Sequence, residues 1–352
     1  MSRRPQVEKN HYSEFRLGWH LTGSMHHARF WHTASVLNDG NVLVVAGHDD
    51  TRSLNTVEFY DVSIGNWTVV DYLNHARQWH TASVLNNGKV LISGGLGDTD
   101  LLNSTELYDP STGNWTIAEG LNYARRSHTA SILTDGTVLI IGGLNSTSYL
   151  TIVELYDPSK GNWSIVSDLN NARAYHTATV LTNGQVLVAS GLDESGYLNS
   201  AELYDPLKDI WSKTGNLNYA RQQHTASVLR NGKVLIVGGL GDNGYLKSAE
   251  LYDPSAGNWT TTGDLNTARR WHTASMLSNG AVLVTGGQNY DEYLDTAELY
   301  HPSTGSWTLI DNLNDVRKFH TASVLHNGKV LVTGGITDNE KTLNTAELYY
   351  YH

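Results

Sequence analysis

The chain has 352 residues, with 24 Lys and Arg against 35 Asp and Glu, for a formal net charge of −11; that balance opposes nonspecific attraction to a phosphate backbone and argues against a nucleic-acid partner. It contains no cysteine, which removes disulfides, thiolate metal sites and cysteine nucleophiles and leaves the compartment open. No run of 18 apolar residues offers a membrane span.

In chain order, Met1–Lys9 is charged and lacks an apolar segment, so it does not read as a signal peptide. Residues 1–14 are expected to form a tail and 15–352 a single folded domain. The stretch Arg-x-x-His-Thr-Ala, first seen from Arg29, then organises everything that follows. Its histidine returns as His32, His80, His128, His176, His224, His272 and His320, each 48 residues after the last. Seven copies at a fixed period mean one supersecondary unit repeated seven times, which overrides the two-domain expectation from length alone.

Each unit carries four strand-like pieces. The first is His-Thr-Ala-Ser-Val-Leu, with small residues at alternate positions. An Asx-Gly pair follows, such as Asp39-Gly40 or Asn87-Gly88, and predicts a tight hairpin with a type I′ turn. The second piece is an unbroken apolar run such as Val234–Val237, as in a strand covered on both faces. It ends in a small-Gly pair, for example Ala46-Gly47 or Gly94-Gly95, where glycine permits close backbone approach. After a loop of variable composition comes a third piece, Glu-Leu-Tyr-Asp-Pro at Glu106–Pro110 and Glu250–Pro254. A turn such as Ser111-Thr112-Gly113-Asn114 leads to a fourth piece marked by Trp67, Trp115, Trp163, Trp211, Trp259 and Trp307.

The last unit reaches Glu347 and stops without its Trp strand, whereas Trp19 stands ten residues before Arg29, as Trp115 does before Arg125. The segment around Trp19 is therefore expected to complete the last unit and close the array into a ring. Closure removes exposed sheet edges, a liability in an open array.

Gly-Gly after the second strand, Tyr-Asp in the third, Trp in the fourth and Arg before the next first strand together resemble the kelch repeat, from about Trp19 to Tyr349. The resemblance implies an all-β fold: a seven-bladed β-propeller of four-stranded antiparallel blades. It also implies that partners and ligands dock on the rim carrying the second-to-third-strand loops. A monomer is expected.

Residues present in all seven units serve every blade and cannot mark one unique site. Arginines such as Arg29 and Arg125 are expected to pair with glutamates such as Glu58 and Glu154, histidines to bond nearby backbone carbonyls, and tryptophans to pack between blades. The informative positions are the two between Arg and His, which differ in each unit: Phe30-Trp31, Gln78-Trp79, Arg126-Ser127, Ala174-Tyr175, Gln222-Gln223, Arg270-Trp271 and Lys318-Phe319. Among them Phe30, Trp31, Gln78, Trp79, Arg126, Tyr175, Gln223, Arg270, Trp271, Lys318 and Phe319 are the candidate binding residues. They are expected to ring the channel mouth and to hold a protein loop, a glycan or a small ligand by stacking and cation–π contact.

No catalytic residue, cofactor or resident metal is expected. The competing reading is an enzyme using the same mouth, metal-assisted through His27, His48 and His75, with His26 nearby. Kelch-type copper oxidases need a Tyr–Cys cross-link, which a chain without cysteine cannot form. A third reading is a functionally neutral repeat scaffold. The second-to-third-strand loops carry Asp98, Asp193, Asp242 and Glu340 among other acids, so an acidic, solvated outer rim is expected.

Overall fold

A computed structural model describes residues 17–351, and the expected tail lies outside them. The first blade is a meander of Thr33–Val36, Val42–Val45, Thr56–Asp61 and Asn66–Tyr72, each strand antiparallel to the next. Five further blades repeat this order. The seventh is assembled from both ends of the chain: Gly18–Leu21 lies on Ala346–Tyr350, followed by Val330–Thr333 and Thr321–Val324. Trp19 is paired with Tyr349, their rings 4.9 Å apart. The fold is thus a seven-bladed, all-β propeller.

First strands adjoin the first strands of both neighbouring blades and so surround the axis. Second strands are wholly buried, which is why they read as apolar runs without alternation. The core is divided among the junctions between blades. At one, Leu43, Val45 and Val57 of the first blade meet Val90, Ile92 and Tyr108 of the second. The fourth-strand tryptophans cap these junctions. Trp67 packs at 4.9 Å from Tyr60 and donates its indole N–H to Gly23 O at 2.7 Å, a carbonyl of the preceding blade's outer edge.

Two local expectations change. The Asx-Gly hairpins are not type I′ turns. Leu37 N bonds Asn41 O and Gly40 N bonds Leu37 O, a three-residue loop in which only the glycine takes positive φ (Gly40, 87°). The Asx side chain instead braces the turn, with Asp39 Oδ1 accepting the Asn41 N–H at 3.0 Å. The variable loops of blades four and five also contain small hairpins that the repeat does not predict, Leu192–Asp193 with Gly196–Tyr197 and Leu240–Gly241 with Gly244–Tyr245.

Candidate functional site at the channel mouth

The site begins with a backbone constraint. The residue before each repeated histidine is left-handed, from Trp79 at φ 52° to Phe319 at φ 57°, and none of the seven is glycine. An L-residue there costs roughly 1–2 kcal/mol. Two contacts hold the conformation. Backbone N–H groups reach across to the same position of the preceding blade, as in Tyr175 N to Ser127 O and Gln223 N to Tyr175 O, both 3.2 Å. The following imidazole locks into that blade's first strand: His80 Nε2 meets Thr33 Oγ1 at 2.9 Å, and His176 Nε2 meets Thr129 Oγ1 at 2.8 Å. The partner expected for the imidazole was a carbonyl; at Nε2 it is a hydroxyl of the neighbouring blade. Burial, then the nearby arginine, pushes these histidines down, His128 and His272 to about 3, so the floor of the mouth is neutral.

The left-handed turn presents all seven side chains to one cavity of about 300 Å³ on the axis. Its wall has two unlike halves. Over blades two, one, seven and six, Trp79, Trp31, Phe319 and Trp271 form a continuous aromatic arc with successive centroids 4.4, 4.8 and 4.3 Å apart. Over blades three to five the wall is Ser127, Tyr175 and Gln223. A guanidinium stands at each end of the arc, Arg126 4.5 Å from Trp79 and Arg270 3.6 Å from Trp271.

The candidate residues therefore separate into two layers. Trp31, Trp79, Tyr175, Gln223, Trp271 and Phe319 face the cavity. Of the preceding positions, Phe30, Gln78 and Lys318 are buried beneath it, while Arg126 and Arg270 remain half-exposed. Every unit bridges this position to the residue after its Gly turn, Phe30 to His48 as Arg126 to Leu144, so the difference lies in the side chains: Phe30 packs on His48 and Lys318 bonds Tyr293, whereas the two guanidinium groups lie over Trp79 and Trp271.

The scaffold cations are neutralised. Arg29 is fully buried, its Nη2 2.6 Å from Glu58 Oε1 and its Nη1 donating to Ala46 O and Thr56 O; the same pairing recurs in every blade. The mouth cations differ. Among the described residues, no carboxylate lies within ion-pair distance of Arg126, Arg270 or Lys318. Arg270 Nη1 donates to Gln223 Oε1 at 3.3 Å. Lys318 Nζ bonds Tyr293 Oη, which in turn donates to Glu340 at 2.6 Å. Burial lowers the pKa of Arg270 and of Lys318.

Tyr245 and Tyr293, which reach the mouth cations from the loops, were not among the sequence candidates. Arg270 lies 4.9 Å from the Tyr245 ring, and Lys318 Nζ lies 3.8 Å from Tyr293. A signal existed: both immediately precede a leucine that recurs in every unit, Leu246 and Leu294, whose N–H groups bond Gly239 O and Gly287 O, and the position before it varies between units.

His27, His48 and His75 do not form a metal-binding group among the described residues. His27 Nδ1 lies 3.5 Å from Glu58, His75 Nδ1 3.6 Å from Glu106 of the next blade, and His48 packs at a tilt against Phe30, 5.3 Å between ring centroids. His26 replaces the asparagine of other units. Its N and Nδ1 both meet Glu58 Oε2, as Asn74 N and Nδ2 meet Glu106 Oε2. Part of the acidic rim is likewise structural, since Asp98 accepts Ser53 N at 2.6 Å and so ties neighbouring loops together.

Comparison with known proteins agrees with this geometry. The profile of the KLHDC2/KLHL20/DRC7 Kelch-repeats domain matches residues 8–171 and 124–287, and that of the Kelch motif matches 270–314. No curated protein matches the chain. Among solved structures, a copper complex described as a novel fungal alcohol oxidase with catalytic diversity among the AA5 family is similar at a TM-score of 0.76. The two are 18% identical, over 95% of this chain and 76% of that one, a likeness of fold alone. Sevenfold Arg–Glu pairing, Gly-Gly turns, Tyr–Trp blade edges and the matched repeat profiles together place this chain in the kelch-repeat family.

Proposed function

We propose that this propeller is a recognition module whose ligand seats in the axial mouth. The observation that carries the reading is the joint presence there of an unbroken arc of four aromatic rings and cations that lack carboxylate partners. Each repeated arginine of the scaffold is paired with a glutamate, so a mouth left with open stacking faces and cations outside any direct ion pair is arranged for something outside the chain. Kelch propellers typically bind other proteins, which supports the same reading. The left-handed backbone adds preorganisation: the arc is fixed before a ligand arrives, so little rotamer freedom is lost on binding.

The test is to probe immobilised glycans and peptides with the labelled protein, then repeat with Trp79→Ala and Trp271→Ala. Each substitution removes a stacking face and the platform of a guanidinium and should weaken a genuine ligand by about 1–3 kcal/mol. Ile117→Ser, on the outer edge, should leave binding unchanged. Binding that survives both tryptophan substitutions would contradict the proposal.

A further inference from the structure

The mouth does not end at its own wall. Arg270 is held between two rings: Trp271, which lines the axial cavity, and Tyr245, which lines a second hollow of about 450 Å³ between the loops of blades five and six. The floor and sides of that hollow include Asn243, Lys247, Asp291 and Tyr290, a residue 87% exposed. One guanidinium thus lies between two adjacent depressions, packed on an aromatic ring of each. In the opposite wall, Ser127 Oγ is buried and without a hydrogen-bond partner.

From this we infer that the ligand is a short carboxylate-bearing oligosaccharide, which fills the mouth with one sugar and leaves between blades five and six with the next. The inference rests on reading the mouth as a binding site. Charge favours the acid, because in a chain whose net charge is −11 the mouth carries Arg126 at one end of its arc and Arg270 with Lys318 at the other, none in a direct ion pair, Lys318 meeting Glu340 only through Tyr293. Backbone chemistry favours sugar over peptide. An extended peptide gains most of its affinity from main-chain hydrogen bonds, but N–H groups around the mouth are spent on the adjacent blade, as in Trp31 N to Phe319 O and Tyr175 N to Ser127 O. Recognition is left to side chains. Aromatic faces for the C–H surface of a pyranose, with hydroxyl and carboxamide groups for its hydroxyls, are what the two hollows supply.

The experiment is calorimetric titration of the whole chain with tetragalacturonic acid, its fully methyl-esterified form and monomeric galacturonate. The ester keeps the chain and removes the charge. The free acid should bind about tenfold tighter than the ester, the worth of one charge-assisted contact. Arg270→Gln should abolish that difference. Tyr245→Ala should lower affinity for the tetramer and leave the monomer unchanged, with an unaltered melting temperature showing that the ring is intact. Equal binding of acid and ester, or no binding of either, would overturn the inference. If a tetraglutamate peptide binds in a Trp79-dependent way while the uronates do not, the mouth is a binding site for peptide and only this inference fails. If no probe responds to Trp79→Ala, both readings fail.

Discussion

Arg29 and His32 are three residues apart, both buried, and do opposite things with charge. Arg29 stays ionised because Glu58 faces it and two carbonyls accept from its Nη1. His32 has only the hydroxyls of Thr321 and Thr333, and burial beside Arg29 holds it neutral. All seven repeated histidines share this condition, with pKa values depressed below the ordinary 6.5. The unfolded chain binds protons at these groups near pH 6.5 and the folded chain does not. Stability is therefore complete above that pH and is lost as pH falls through it toward the folded values, by up to about 1.4 kcal/mol per pH unit per histidine. The buried carboxylates Glu58 and Glu106, also held low, lose stability in the same direction at still lower pH. Scanning calorimetry at about pH 7.5 and about pH 5.5 should show a melting temperature lower by on the order of 10 °C at the acid value. Equal melting temperatures would mean that the imidazoles are not sealed. The Arg–Glu pairing was legible from sequence because both partners recur within one unit. The histidine's partner was not, because it lies one blade back along the ring.

At the level of strands and turns, the small-Gly pair shows what repetition can and cannot reveal. Its second residue is glycine in every unit because it sits at φ of 98–106°, beyond the left-handed region that a side chain tolerates, and a Cβ on Gly143 would also come within 2.7 Å of Arg126 O. Its first residue also has positive φ, yet Ala46 and Ser190 fill it at 56° and 59°. Gly143→Ala should therefore cost about 3 kcal/mol or more; Gly94→Ala, at φ 62° and with a Cβ 2.9 Å from Arg125 O that the chain accommodates at Ala46, should cost less, about 1–2 kcal/mol, as read from denaturant unfolding. Equal costs would contradict the role given to the backbone conformation of the second position. The turn type of the Asx-Gly hairpins does not follow from sequence because the pair suits a two-residue and a three-residue loop alike. The hairpins of blades four and five lie in loops too variable for the period to constrain. The outer strand of blade one is another local departure. It runs seven residues, Asn66–Tyr72, with a bulge opposite Val57 and Glu58, and at that junction Trp115 Nε1 is left without an acceptor.

For the molecule as a whole, closure and recognition are one matter. The aromatic arc crosses the seam where the chain's two ends meet, for Phe319 and Trp31 are 288 residues apart in sequence and 4.8 Å apart in space. Position in the repeat was enough to mark these residues as the variable ones. Their grouping into an aromatic half and a polar half depends on the order of blades around a closed ring. Nor could the repeat show that Phe30, Gln78 and Lys318 would be buried under the loops while Arg126 and Arg270 are not, since every unit makes the same bridge and the difference lies in the partner each side chain finds. Hydrogen–deuterium exchange, with and without a glycan or peptide that the protein captures, tests the reading most directly. Protection should concentrate in the segments around Trp31, Trp79, Trp271 and Phe319, with the Asx-Gly hairpins on the opposite face unchanged. Protection of those hairpins around Gly40, Gly88 and Gly280, with the mouth unaltered, would contradict it.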